Sequence, residues 1–262
     1  VLFFKYIKLS LFPLTLNADY VFSYPTRFFD LGPVLSAVFV LGLLVFSFFV
    51  FSRSKTTSFG IWWFWVTLFP VYNLIQIYNP FAERYMYIPL WGFCLVISIF
   101  LETLLRRISF SRAGILRVFI IVSVAGACSL ITINRNRDWK DSYTLWTKTL
   151  EVEPDSFRAH GNLARVYQKR GMIDASMRAV KKTLALNPKD HKAYYNLGVA
   201  YKKKLDISNM VTCLDKAIRL SDADTNFHQQ AKELLDGLEN LVREQHGTDL
   251  ETYTKAQEQF HF

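Results

Sequence analysis

Cysteine is sparse in this 262-residue chain, and its three thiols, Cys94, Cys128 and Cys213, lie far apart. Two fall in apolar runs and one on a predicted helix, so neither a zinc site nor a disulfide framework follows, and free, buried structural thiols are expected. The histidines, His160, His191, His228, His246 and His261, are scattered and form no metal pair. A nucleophile elbow, a phosphate-binding glycine loop and a dinucleotide fingerprint are all missing. The formal net charge of +9 comes without zinc-finger spacing, an RNA-binding sheet motif or a basic zipper region. It is read as loop arginines and surface lysines, with no nucleic-acid partner. Acidic residues are rarest in the first half, where residues 1 to 133 hold only Asp19, Asp30, Glu83 and Glu102.

What fills that half is Phe, Trp, Leu, Ile and Val, while residues 134 to 262 hold most of the charge. A single soluble domain does not segregate its composition in this way. Val34 to Phe51 is 18 residues without a charge, and Phe59 to Ile77 is another 19, with Pro70 inside. Runs of roughly 18 or more apolar residues are long enough to cross a bilayer core. Two further spans are expected at about 87–105, where Glu102 can pair or reach the interface, and at about 115–133, with Arg117 near its start. Pro70 is tolerable in a membrane helix, and "IWWFW" at 61 to 65 fits an aromatic belt at the headgroup boundary. Residues 2 to 16 are weaker, the end of an earlier span or an interfacial helix with Lys5 and Lys8 on one face. The chain opens on Val1, and its first residues lack a signal-peptide layout. An N-terminus cut inside a larger protein is expected.

Charge in the short loops sets an orientation. Arg53 and Lys55 follow the first span, and Arg106, Arg107 and Arg112 follow the third. Positive short loops mark the cytoplasm, so residues 17 to 33, 78 to 88 and everything after about 134 are expected on the opposite face. The stretch "NPFAERYMYIP" at 79 to 89 then becomes a non-cytoplasmic connector between two spans.

The polar half repeats itself. Asn162-Leu163 and Asn196-Leu197 are 34 residues apart, as are Tyr167 and Tyr201, Ala159 and Ala193, and Pro154 and Pro188. A helix–turn–helix period of 34 is the tetratricopeptide signature. The first repeat, 157–190, follows it, with small Ala164 where two helices approach. The second, 191–224, departs from it: Leu205 replaces the turn glycine, Met210 sits at a usual small position, and Asp222 replaces the proline. Residues 134–156 read as a junction and lead-in helix, 225–245 as a capping helix with an apolar stripe, and 246–262 as a flexible tail. The predicted fold is all-α, a polytopic transmembrane bundle in 1–133 followed by a short tetratricopeptide α-solenoid.

Three ordered motifs carry a family resemblance: "YIKLSLFPLTLNADY" at 6 to 20, "NPFAERYMYIPLWGFC" at 79 to 94 and "RNRDWKDSYTLW" at 135 to 146. Together with apolar spans leading into tetratricopeptide repeats, the chain resembles the transmembrane and tetratricopeptide repeat-containing proteins and their bacterial relatives. The resemblance implies a protein O-mannosyltransferase of the multi-span type, passing mannose from a lipid-linked phosphate to Ser or Thr at the luminal or outer membrane face. It implies a catalytic carboxylate in a luminal loop upstream of this chain, leaving the catalytic residues unknown here. It also allows a divalent metal beside the lipid-phosphate donor in the full protein, although no cofactor is evident in these residues. The compartment is then a bacterial inner membrane or the endoplasmic reticulum, with the repeats periplasmic or luminal.

On that face Arg84 is the leading candidate for a lipid-phosphate contact, because its planar fork suits phosphate. Glu83 is expected to pair with it or to bind a sugar hydroxyl, and Tyr85 and Tyr87 to stack on lipid or sugar. Asp19 and Arg27 are further candidates. On the repeats, the resemblance places Arg158, Asn162, Arg165, Lys169, Lys192, Tyr195, Asn196, Lys202 and Lys203 on a concave face suited to an acidic or carboxylate-bearing peptide. The competing reading is a membrane-anchored adaptor, in which the spans only anchor and the repeats bind another protein.

Overall fold

A computed structural model describes residues 2–11, 13, 16–21, 31–71, 81–105, 110–223 and 225–260. The described residues form helices and short turns, in two compact units, Val1–Lys140 and Asp141–Phe262.

The first unit contains α1 (Leu2–Leu11), α2 (Leu31–Phe51), α3 (Lys55–Leu68), α4 (Pro89–Leu105) and α5 (Phe110–Asp138). Two stretches in it are long and apolar enough to cross a membrane, Pro33–Phe51 in α2 and Gly114–Asp138 in α5. Their mean hydropathies are 2.8 and 2.2, and only 6% and 0% of their most apolar windows are buried inside the chain. Leu41, Phe49, Val122 and Leu130 all lie on the surface. An apolar surface of that extent is untenable in water, whereas in hydrocarbon it is the natural exterior of a helix whose backbone is internally satisfied.

The other two expected spans come out shorter. α3 starts earlier than expected, with Ser54 as N-cap accepting from the Thr57 amide at 3.2 Å, and stops at Leu68. Phe69–Val71 then form a 3-10 turn around Pro70, which lacks the N–H that would continue the helix. Residues 72–77 of the expected span lie outside the described residues. α4 begins at Pro89, a position where the missing N–H is no loss, and runs 17 residues. Glu102 on α4 pairs with Arg117 on α5 at 3.0 Å, so its charge is neutralised there; Arg106 lies outside the described residues.

α3 and α4 cross at two glycines. A Cβ on Gly92 would stand 2.5 Å from the Gly60 carbonyl oxygen, and one on Gly60 would stand 2.8 Å from a Val96 methyl. Backbone approach of this kind replaces the hydrophobic driving force that lipid does not supply between helices. Trp63 and Trp91 flank the crossing with ring centroids 5.3 Å apart. At one end of the unit Phe3, Tyr6, Phe64, Leu68, Phe81 and Met86 form a buried cluster.

The second unit is a stack of α6 (Ser142–Val152), α7 (Phe157–Lys169), α8 (Ile173–Leu186), α9 (His191–Lys203), α10 (Ile207–Leu220), α11 (Asn226–His246) and α12 (Leu250–Phe260). The period of 34 reappears in the packing. Ala159 and Ala193, Leu163 and Leu197, Ser176 and Met210, Ala179 and Cys213, Val180 and Leu214, and Thr183 and Ala217 are all buried pairs at that spacing. The caps repeat too, since Ser156 accepts from the Ala159 amide at 3.0 Å and Asp190 from the Ala193 amide at 3.1 Å. Volume is exchanged across the repeat. The first uses Ala164 with Val180 and the second Gly198 with Leu214, where a Cβ on Gly198 would meet Leu214 at 2.9 Å.

Two expectations are corrected. Of the three free thiols only Cys213 is buried, its pKa pushed up to about 11 by burial; Cys94 and Cys128 are exposed on apolar helices. Where a flexible tail was expected, Asp249 caps α12 through the Thr252 amide at 2.7 Å.

The turn positions differ in strain. Gly171 has φ +73°, and Leu205, 34 residues later, is forced to φ +60° with its side chain 86% exposed. A left-handed leucine costs about 1–2 kcal/mol, against about 0.5–1 kcal/mol of chain entropy for glycine. Leu205→Gly is therefore expected to stabilise the repeats by up to about 1 kcal/mol and Gly171→Ala to destabilise them by a similar amount. Thermal unfolding of the full chain in detergent, followed by circular dichroism, should move in opposite directions for the two variants.

Candidate functional site

The connector ahead of α4 is shaped by its buried ends. Phe81 and Met86 are 4% and 6% exposed and anchor a 3-10 turn over Glu83–Met86. Phe81 packs against Tyr6 at 4.6 Å and Tyr20 at 4.8 Å between ring centroids. With the turn pinned at both ends, the neighbouring acid and base take different surroundings. Glu83 is half-buried, and its Oε1 accepts the Tyr20 hydroxyl at 2.7 Å and the Asn17 amide at 2.5 Å. The guanidinium of Arg135, near the end of α5, stands 3.8 Å from the same oxygen. Arg84 stays exposed, donates to the Tyr85 hydroxyl at 3.3 Å and lies 5.1 Å from that ring.

The expected Glu83–Arg84 pair is thus replaced by a Glu83–Arg135 pair. Arg135 also donates to Asp138 Oδ2 at 3.0 Å and lies 5.9 Å from the Trp139 ring. Two connectors, 17–20 and 81–87, and the end of α5 meet at one carboxylate oxygen. Tyr87 is 83% exposed, and Asp19 is buried at 3%. Arg27 lies outside the described residues. Neither Arg135 nor Asn17 stands out by residue type. The signal for Arg135 was positional: an arginine at a span end, on the same expected face as an isolated Glu83.

Among the described residues no group of three or more His, Cys, Asp and Glu side chains is arranged to hold a metal.

In the second unit, α6 and α7 enclose a cleft of about 310 Å³. Asn162, Arg165, Lys169 and Arg170 line it from α7 and its C-cap, facing Asp141, Tyr143 and Trp146. Arg170 lies over the Tyr143 ring at 4.4 Å and reaches Asp141 at 3.9 Å. The Thr144 amide, followed by its hydroxyl and more distantly Arg170, holds the Asp141 carboxyl below its usual range. Arg165 and Lys169, one turn apart and exposed, are left as excess positive charge.

The remaining repeat candidates divide differently. Arg158 lies 5.2 Å from the Phe157 ring, outside the cleft lining. Lys192 and Tyr195 pack on Phe227 of α11 at 5.5 Å each. Asn196 is buried at 6%, and Lys203 donates to the Gln168 carbonyl at 3.4 Å. The cap helix and the neighbouring repeat thus engage Lys192, Tyr195 and Lys203, while Lys202 is exposed, so both repeats carry exposed lysines and the first lines the cleft.

Residues 191–224 match the tetratricopeptide repeat family. Part of the chain is also similar to proteins named as protein O-mannosyl-transferases. It is 30% identical over 101 residues to Tmtc2 of Drosophila melanogaster, covering 38% of this chain and 10% of that protein. It is 31% identical over 103 residues to tmtc2 of Xenopus laevis, covering 38% and 12%. To F38B6.6 of Caenorhabditis elegans it is 31% identical over 91 residues, covering 35% and 12%. The matched stretch therefore spans about a tenth of these relatives' length. Among solved structures, a MamA RS-1 ArsTM double mutant is 25% identical, with a TM-score of 0.34 over 49% of this chain and 69% of that chain. A stretch of the chain is thus similar to named O-mannosyl-transferases, and the chain combines membrane-type helices with tetratricopeptide repeats.

Burial, and next the hydrogen bond to the Glu83 carboxylate, push the Tyr20 hydroxyl well above the ordinary tyrosine range. A raised folded-state pKa gives stability that is complete below about pH 10 and is lost as pH rises towards the folded value. Tyr20→Phe removes one donor to a carboxylate, an interaction worth about 1.5–3 kcal/mol. Denaturant unfolding should show that loss at neutral pH and a shallower alkaline decline in the variant.

Proposed function

We propose that this chain is part of a membrane-embedded glycosyltransferase that moves a sugar, mannose by family likeness, from a lipid-linked phosphate to Ser or Thr of proteins. The observation that carries the reading is the polar cluster around Glu83 and Arg84, built at the ends of apolar helices in a chain similar to named O-mannosyl-transferases. A lipid-linked donor presents its phosphate at headgroup depth, where Arg84 projects its guanidinium outward. Oε1 of Glu83 is engaged by its neighbours and leaves the second oxygen to accept from a sugar hydroxyl. Displacement of a lipid phosphate by a hydroxyl needs a carboxylate to take the hydroxyl proton and cations to stabilise the leaving phosphate. The proton acceptor belongs to a luminal loop outside this chain, and Arg84 supplies the cation. The expected compartment is the endoplasmic reticulum or a bacterial inner membrane, with the Glu83 cluster and the repeats on the luminal or periplasmic face.

In a longer protein that includes the upstream luminal loop, Arg84→Ala is expected to lower sugar transfer from polyprenyl phosphomannose to a Ser/Thr acceptor peptide at least tenfold, with thermal stability unchanged. Undiminished transfer by that variant removes Arg84 from the mechanism.

The α6–α7 cleft favours a second, compatible reading in which the repeats recruit a protein. Its excess charge from Arg165 and Lys169, beside the aromatic face of Trp146, suits an acidic segment. The double charge reversal Arg165→Glu/Lys169→Glu should weaken binding of a fluorescent acidic peptide to the full chain at least fivefold and reverse its salt dependence. Equal binding by the variant rejects this cleft as the docking site.

A further inference from the structure

The Arg135 guanidinium is only partly satisfied. Its side chain is 14% exposed, and Nη1 donates to Asp138 at 3.0 Å. Nε and Nη2 are buried and have no hydrogen-bond acceptor. Glu83 Oε1 stands 3.8 Å from Nη2, close enough for Coulomb attraction and too far for a hydrogen bond. That oxygen is held back by the Asn17 amide and the Tyr20 hydroxyl. Asp138, one turn along α5, fixes the plane of the guanidinium from its other end.

The two unsatisfied nitrogens are the side-on edge of the guanidinium, which meets two oxygens of one carboxylate or phosphate in parallel. Buried donors left unmatched are costly, so the arrangement favours a ligand that brings two oxygens to this edge. The residue lies near the end of the apolar stretch Gly114–Asp138, which is long enough to cross a bilayer core and, in doing so, to bring its polar end to the lipid phosphates. We infer that Arg135 binds a phosphate-bearing lipid headgroup through its Nε–Nη2 edge, with Glu83 moving aside as the phosphate enters. Resting on the transferase reading above, this makes Arg135 a second donor-phosphate contact besides Arg84, contributed by the helix that leads out of the membrane unit.

The test uses the full chain purified in a maltoside detergent, which carries no phosphate. Short-chain polyprenyl phosphate, neutral polyprenol and inorganic phosphate serve as probes, with binding read by native mass spectrometry and thermal shift. Polyprenyl phosphate should bind and polyprenol should not, and Arg135→Gln should weaken binding at least tenfold. Arg135→Lys keeps the charge beside Glu83 and Asp138 but cannot present a fork, so it too should lose at least fivefold while its melting temperature stays near wild type.

Wild-type affinity in Arg135→Lys would show that a point charge suffices and would overturn the fork. Wild-type affinity in Arg135→Gln, with loss in Arg84→Ala, would remove Arg135 and leave Arg84 as the phosphate contact. Inorganic phosphate binding as tightly as polyprenyl phosphate would reject a lipid source. Arg135-dependent binding by this chain, together with no sugar transfer from polyprenyl phosphomannose by a longer protein that includes the upstream luminal loop, would keep this inference and sink the transferase reading.

Discussion

A lipid phase has no hydrogen bonds to offer, and this constraint arranges the first unit. Each peptide group in α2 and α5 must be satisfied within its own helix, so both run long and uninterrupted with their apolar side chains outermost. Where the chain departs from α-helical geometry, as at Phe69–Val71 and Glu83–Met86, polar partners must come from elsewhere. Helices that gain little from burying apolar surface in hydrocarbon must associate by close contact. That accounts for the Gly60–Gly92 crossing, in which each glycine leaves room for the other's carbonyl.

The same constraint explains why the few acidic residues of this half matter. Glu102 is matched by Arg117 at 3.0 Å, and Glu83 gathers three partners on one oxygen. An uncompensated carboxylate near hydrocarbon would be costly, so each acid recruits its own cation or donors. At Glu83 the recruitment reaches 66 residues back to Asn17 and forward to the end of α5. The carboxylate therefore serves as a structural knot and, through the charges around it, as the centre of the proposed headgroup site.

How much of this was legible depends on the range of the interaction. Regular burial reads directly from spacing. The 34-residue period located Ala159 and Ala193, Leu163 and Leu197, and the turn positions Gly171 and Leu205. The apolar runs at 34–51 and about 115–133 became α2 and part of α5 because length and composition decide a span, whereas in the run at 59–77 α3 stops at Leu68, ahead of Pro70. Adjacency misled at Glu83 and Arg84, since a 3-10 turn anchored by Phe81 and Met86 separates the surroundings of neighbouring side chains. The Arg135 partnership depends on tertiary contact between segments distant in sequence. The α12 helix was missed for the opposite reason, since a polar stretch following Asp249 carries a local N-cap that composition alone does not reveal.

The second unit shows how a departure from a repeat can be tolerated in one place and functional in another. Replacing Ala–Val by Gly–Leu at positions 198 and 214 preserves packing because volume is conserved across the helix pair. Leu205 conserves nothing and leaves local strain at an exposed turn. Asymmetry in the ligand face follows from what stands next to each repeat. Phe227 packs beside Tyr195 and the exposed Lys192 of the second, whereas α6 meets α7 of the first through Tyr143 and Trp146 and leaves a cleft open. The cleft exists in so short a stack only because the lead-in helix α6 supplies the wall opposite α7.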